Sequence, residues 1–433
     1  MGRKRKSAAL DVYLGRSHVG AYSRSASGAT SFRYDPSWLN SDRSFAISLS
    51  LPLSDRQWTG DRIASVFDGL LPDNSTVRET IAAREGADSA STFDLLAAIG
   101  RDCVGALRFI PEGDDPGDPT LMRYEPIDDA DIARRLAGLA TNPLGMLGDD
   151  DFRISLAGVQ EKTAFLRVGN EWHIPRGATP TSHIFKPPMR HGPLGLDFSD
   201  SPWNEWLCLL ICTELGLPTA KAESLLFDGK PVLVIERFDR RWVQNILYRL
   251  PQEDMCQALG IPPSRKYQSE GGPDIIAVLD ILNSAASPRA DRLTFFKAQI
   301  VFWLLAAIDG HAKNFSVFLT PGGFNLTPLY DVMSAAPYSE LPAQKVKLAM
   351  SIGNNRHYRV REIQPRHFYQ TGQKAGLYEE DIRELLGDVT AKIDAALTNA
   401  GNAAQKAGMP EKTASAIIEG IQSRTAILKA NSV

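Results

Sequence analysis

Cysteine is scarce in this sequence: its 433 residues include four, Cys103, Cys208, Cys212 and Cys256. With no Cys-x-x-Cys pair among them, neither a disulfide scaffold nor a zinc site is indicated. Cys208 and Cys212 lie one helical turn apart in an apolar stretch and read as small core residues. Long apolar runs are missing too. Nothing approaches the roughly 18 residues of a membrane-spanning helix, and the stretch from Val301 to Ile308 meets charge at Asp309. The basic start Arg3-Lys4-Arg5-Lys6 reaches Asp11 before a signal-peptide core can form. These absences predict a cytoplasmic protein with no membrane association. A dominant charge sign is also lacking, because 48 Lys plus Arg against 51 Asp plus Glu leave a net charge of -3. Global attraction to nucleic acid or anionic lipid is thereby excluded, and any such binding must be local. Finally, neither Gly-x4-Gly-Lys-Ser/Thr nor Gly-x-Gly-x-x-Gly occurs, which removes support for a P-loop NTPase or a Rossmann enzyme.

What is present is the composition of a globular chain, 43% hydrophobic and 23% charged. The length exceeds what one core of about 250 to 300 residues accommodates, so several packed units are expected. Residues 1-110 read as an α+β unit, with β-like pieces at Leu10 to Leu14 and Ser44 to Leu49 and helical patterns from Ile63 to Leu70 and Ser91 to Ile99. Residues 111-147 read as an acidic linker and helix, opened by the breaker-rich run Pro111 to Pro119. Residues 148-240 start at the acidic turn Gly148 to Asp151 and form a β-rich lobe. Its strands are expected at Phe152 to Leu156, Thr163 to Val168, His183 to Lys186 and Val232 to Phe238, with a helix from Trp203 to Leu215. Residues 241-433 read as a helical lobe interrupted by a strand pair, Phe315 to Leu319 and Phe324 to Leu329. No repeat is visible.

The chemistry concentrates in Ile308-Asp309-Gly310-His311-Ala312-Lys313-Asn314-Phe315, where an apolar helix ends and a strand begins. Four residues separate Asp309 from Asn314, the spacing of a kinase catalytic loop whose Asp orients a hydroxyl and whose Asn binds metal. Asp331, beyond the strand pair, stands where such an enzyme places its main Mg2+ ligand. Taken alone this spacing is common, and a helix cap followed by a turn uses the same residue types. It gains weight from order along the chain. Lys186 ends an apolar strand, Glu205 opens the next helix, and Val232 to Ile235 run into Glu236-Arg237-Phe238-Asp239-Arg240 as an inter-lobe hinge would. A strand lysine on phosphates, a helix glutamate that steadies it, and a hinge on the adenine are the other fixed parts of kinase chemistry. Between two strands, Ser155-Leu156-Ala157-Gly158-Val159-Gln160-Glu161-Lys162 forms a glycine-poor turn whose amides could approach phosphates.

These residues resemble the HipA-type serine/threonine kinases, toxins of bacterial type II toxin-antitoxin pairs. The resemblance rests on Phe152 to Thr163, Glu236 to Arg240, Leu250 to Gln257, Asp309 to Ser316 and Lys345 to Met350, and extends through Phe67 to Asp73 over nearly the whole chain. It implies an α+β, protein-kinase-like fold of two lobes with an extra N-terminal subdomain and an all-helical C-lobe. It implies ATP and Mg2+ in the cleft, with Asp309 catalytic beside His311 and Asn314. Lys186 would hold phosphates together with Ser155, Leu156, Ala157, Gly158, Val159, Gln160, Lys162, His311 and Lys313; Glu236, Arg237 and Phe238 would meet adenine, Asp239 the ribose, and Asn314 and Asp331 the metal. It also implies autophosphorylation at Ser155. A phosphate there adds nearly two negative charges to a loop that should cradle ATP, so repulsion would expel the loop and stop the enzyme.

As partners the resemblance implies a helix-turn-helix antitoxin of the HipB kind, with operator DNA contacted mainly through it to form a repressor. As substrate it implies an aminoacyl-tRNA synthetase, the glutamyl enzyme first, whose phosphorylation would slow growth and favour persistence. Two rivals stay open on sequence: a non-catalytic, pseudokinase-like co-repressor scaffold, and a small-molecule kinase on the same frame. The basic residues from Lys345 to Lys347 and Arg356 to Arg366 fit a local DNA patch or an ordinary solvated loop equally well.

Overall fold

The computed structural model describes residues 8-146, 154-189, 196-342 and 344-430. The basic cluster Arg3 to Lys6, the acidic turn Gly148 to Asp151, and Phe152 and Arg153 of the expected strand lie outside the described residues.

Alternation builds the N-terminal unit: Leu10 and Val12 are buried while Asp11 between them and Tyr13 beyond are partly exposed. The strands form an antiparallel sheet in the order Trp58–Thr59, Thr30–Tyr34, Ser17–Arg24, Ala8–Leu14, Leu107–Pro111. Helices Asp61–Asp68, Ser75–Arg84 and Thr92–Ile99 accompany it, and Phe67 packs its ring 4.5 Å from Tyr22 and 5.2 Å from Phe109. The strand expected at Ser44 to Leu49 does not form; the chain turns there instead. Ile47 is buried there without a ladder, because the Tyr34 hydroxyl accepts from Ile47 N at 3.0 Å and donates to Leu51 O at 2.5 Å.

The second sheet is also antiparallel, ordered Ala222–Phe227, Lys230–Glu236, His183–Lys186, Thr163–Val168, Glu171–Pro175, Tyr124–Pro126. Its last strand comes from the segment read as linker, which thus supplies an edge strand and then the helix Asp129–Ala137, capped by Asp128. One hydrophobic core runs through both sheets: Val12 and Phe109 of the first, with Phe67 of the helix on it, belong to the same buried cluster as Phe165, Phe185 and Val232 of the second.

A second core fills the C-terminal lobe, where Phe295 to Leu305 pack with Ile382, Ile393, Ile417 and Leu428 of later helices. This lobe holds Pro288–Leu305, Pro365–Lys374, Glu379–Ala407 and Glu411–Ala430. It also carries short antiparallel strands, Gln252–Asp254 with Ser316–Thr320 and Gly323–Leu326, and Lys347–Ile352 with His357–Arg359. The helix expected to reach Ile308 ends at Leu305, where Ala306 takes a left-handed conformation (φ 51°) and caps it. That early stop turns the chain into the segment bearing Asp309. No helix among the described residues is long and apolar enough to cross a membrane.

Candidate active site

A cavity of about 1080 Å³ opens between the lobes, lined by Lys186, Phe238, Asp309, Asn314 and Asp331 among others. Lys186 ends the strand His183–Lys186, whose pairing with Lys230–Glu236 on one side and Thr163–Val168 on the other fixes its direction. Its ammonium donates to both oxygens of Glu205, at 2.8 and 2.9 Å, and to Asp331 Oδ1 at 2.6 Å. Burial alone would lower the pKa of this lysine; the carboxylates of Asp331 and Glu205 outweigh it and hold the pKa above the ordinary value. Glu205 sits in the first turns of the helix Ser201–Glu214, which Asn204 ties to the opposite lobe by donating to Ser334 O at 2.8 Å. Asp331 is held left-handed (φ 59°), a conformation that Asp tolerates better than most residues and that clusters at functional positions. Although burial opposes it, the ammonium groups of Lys186 and Lys162 keep the Asp331 carboxyl well below the usual range, so it is an anion.

Below lies the loop after Ala306. Asn314 Nδ2 donates to the Asp309 carbonyl at 2.6 Å, which closes the loop and leaves the amide oxygen of Asn314 outside that bond. The Asp309 side chain is half exposed and lines the cleft. Tyr267 donates its hydroxyl to the Asp309 carboxylate, and its ring stands edge-on to His311 with centroids 4.8 Å apart. Burial lowers the His311 pKa against the pull of Asp309, which favours the neutral imidazole; its Nε2 lies 3.7 Å from Asp309 Oδ1. Gly310 is required by space, since a Cβ there would lie 2.5 Å from the Phe302 ring.

The loop expected to meet phosphates is drawn inward. Gly158 has φ +100°, a backbone conformation that residues with a Cβ rarely adopt, so the turn favours glycine there. Lys162 donates to Ala157 O at 2.8 Å, and burial brings its pKa down to about 8. Leu156, Ala157, Val159 and Gln160 line the cavity. Ser155 is fully buried: its Oγ donates to Leu70 O at 2.7 Å and its amide to Asp102 O at 2.9 Å.

The hinge differs from expectation in its side chains. Phe238 faces the cleft, packed 5.5 Å from Tyr330, and Glu236 is half exposed. Asp239, expected on the ribose, has its carboxylate occupied by Arg237 (2.8 Å), Arg240 (2.9 Å) and Gly105 N (2.7 Å). The Arg237 side chain likewise turns away, donating to Thr181 Oγ1 and Cys103 O. Asp102 completes this buried lattice by accepting from Arg240 and Arg249, each at 2.8 Å. These charges brace the hinge, as does the Arg237 backbone, whose N–H donates to Ser182 O at 2.9 Å and whose carbonyl accepts from Arg240 N at 3.1 Å.

Sequence reasoning missed Lys266, Tyr267 and Asp73. Asp73 accepts from Lys313 at 2.5 Å, yet the two lie 240 positions apart, so no local spacing could have revealed the pair. All four cysteines are free and buried, as core residues should be. In the basic region near the C-terminal strands, Arg359 pairs with Glu362 at 2.8 Å.

Two lobes, a lysine-glutamate pair and an Asp-x4-Asn loop facing a second Asp define a kinase-like protein. Residues 154–397 match the family model of the HipA-like C-terminal domain, and residues 10–110 that of the HipA N-terminal domain. The chain belongs to the HipA family of kinases. The serine/threonine-protein kinase toxin HipA of Shewanella oneidensis is 30% identical over 362 residues, covering 80% of this chain and 79% of that protein. The Sinorhizobium fredii protein Y4mE is 35% identical over 349 residues, covering 79% and 80% respectively. HipA of Shewanella oneidensis, in its complex with HipB and operator DNA, has the same fold with a TM-score of 0.80 at 25% identity, covering 97% of both chains.

Proposed function

We propose that this chain is an ATP-dependent protein serine/threonine kinase acting as the toxin of a toxin-antitoxin pair. The observation that carries the reading is the convergence on one cavity of Lys186 paired with Glu205, of Asp331, and of the Asp309 to Asn314 loop. Adenine would enter against Phe238 and the hinge backbone, with the phosphates toward Lys186 and the loop around Gly158. One carboxylate from Asp331 and one amide oxygen from Asn314 suit a hard divalent cation that takes its other ligands from phosphate and water. When bound, Mg2+ would neutralise charge on the β- and γ-phosphates.

Asp309 accepts the proton of a substrate hydroxyl as that oxygen bonds to the γ-phosphorus and the bond to ADP breaks. Neutral His311 beside it adds no competing positive charge to the carboxylate. Ser155, held inward against Leu70, is the residue whose phosphorylation would end activity: a phosphate cannot donate to the Leu70 carbonyl, and its charge cannot stay where Ser155 is buried. The homologous complex with HipB and operator DNA supports a HipB-like antitoxin as partner, with DNA reached through it. The acceptor proposed first is a glutamyl-tRNA synthetase, whose modification would slow translation.

The test is phosphate transfer from labelled ATP with Mg2+, to the chain itself and to added glutamyl-tRNA synthetase, using wild type, Asp309→Asn and Asp331→Asn. Phosphoryl transfer is catalysed by positioning and charge, so each variant should lose at least about 100-fold in rate. Variants within about threefold of wild type would overturn the assignment. Mapped phosphate on residues other than Ser155 would remove the loop switch.

A further inference from the structure

The segment after the helix Asp61–Asp68 belongs by sequence to the N-terminal unit, but part of its backbone and the Asp73 carboxylate bond to the kinase cleft. Leu70 accepts the Ser155 hydroxyl, Pro72 pairs with Gly158 in a parallel bridge, and Asp73 N donates to Gly158 O at 3.2 Å. The Asp73 carboxylate then reaches the floor of the site, where Oδ1 accepts from Lys313 at 2.5 Å and Oδ2 from Lys266 at 3.0 Å. Lys313 immediately precedes Asn314, and Lys266 immediately precedes Tyr267, which holds Asp309. All three charges are largely buried, with side-chain exposures of 12% for Asp73, 5% for Lys313 and 15% for Lys266. Although burial works against it, Asp73 is kept below the usual carboxylate range by the two ammonium groups. Without an anion between them, these cations would repel each other across the segments that present Asp309 and Asn314.

We propose that Asp73 is a positioning residue for phosphoryl transfer, supplied by the N-terminal unit, whose carboxylate fixes Lys313 and Lys266 and through them the catalytic loop. This rests on the kinase reading and makes the N-terminal unit a working part of the phosphotransfer site. Its continuous core with the nucleotide lobe gives the carboxylate a rigid base from which to act.

The experiment measures kcat and the KM for ATP on the full-length chain for wild type, Asp73→Asn, Asp73→Glu and Lys313→Met, alone and combined with Asp73→Asn. Thermal midpoints are recorded alongside. The expected result is a fall in kcat of at least about tenfold for Asp73→Asn with KM within about threefold, because ground-state nucleotide binding is not what the carboxylate serves. Asp73→Glu keeps the charge and should recover most of the rate. In the Lys313→Met background, Asp73→Asn should cost much less than it does in wild type, since residues acting through one another are not additive. The proposal is overturned by an unchanged kcat, by a rise in KM alone, or by equal losses of rate and thermal midpoint in Asp73→Asn and Asp73→Glu, which would mark a purely structural carboxylate. A wild type that transfers no phosphate overturns the kinase reading and this one with it, whereas an active wild type matched by Asp73→Asn overturns this one alone.

Discussion

Replacing Glu205 with Gln removes one charge and almost no volume, so its effect isolates the charge that Glu205 presents to Lys186. Lys186 has two carboxylate partners, and Glu205 supplies two of its three contacts, at 2.8 and 2.9 Å, from a position 1% exposed. A hydrogen bond to a charged group contributes about 1.5–3 kcal/mol net. Losing about 2 kcal/mol of lysine positioning in the transition state corresponds to a fall of about 30-fold in kcat/KM. A second consequence comes from Asp331, 2.6 Å from the same ammonium. With Glu205 neutral, Lys186 draws more strongly on Asp331, which then competes less well for a cation, so the Mg2+ concentration needed for half-maximal rate should rise. The assay is labelled phosphate transfer over a matrix of ATP and Mg2+ concentrations. A kcat/KM within about threefold of wild type and an unchanged Mg2+ requirement would refute the claim that this pair organises the phosphate site.

Two further predictions concern stability. Asp102→Asn strips the buried cluster of Arg237, Arg240 and Arg249 of a shared carboxylate; breaking a buried pair on one side costs about 3–5 kcal/mol, and at about 2–4 °C per kcal/mol the first thermal transition should fall by roughly 10 °C, so a drop under about 2 °C by calorimetry would count against the cluster as the hinge brace. Glu253, 2% exposed with Leu49 N donating to it at 2.7 Å, is pushed by burial from 4.5 up to about 8. The folded state therefore keeps a proton that the unfolded state releases, and stability should decline as pH rises from about 4.5 to about 8. Glu253→Gln should flatten that slope in urea titrations run across the interval, and an unaltered slope would remove Glu253 as its source.

The order Lys186, Glu205, hinge, Asp309 to Asn314, Asp331 was legible because each member lies at the end of a periodic segment. A lysine closing an apolar strand and an Asp following an apolar helix carry their context with them. The strand at Ser44 to Leu49 misled because apolar alternation also describes a buried loop once a hydroxyl such as that of Tyr34 satisfies its backbone. Asp239 misled for a related reason: position after the hinge suggests a ribose ligand, but three groups from distant and neighbouring segments already hold its carboxylate.

By itself the sequence determined where most strands and helices fall and which residue types could do phosphoryl chemistry, since both follow from periodicity and side-chain chemistry within short windows. Tertiary structure alone decided what those residues touch. It merged the N-terminal unit and the nucleotide lobe into one core, turned the arginines near the hinge inward onto Asp102, buried Ser155 against Leu70, and brought Asp73 to Lys313. Such contacts join residues tens to hundreds of positions apart, and the burial that gives a charge pair its strength exists only once the chain has folded around it.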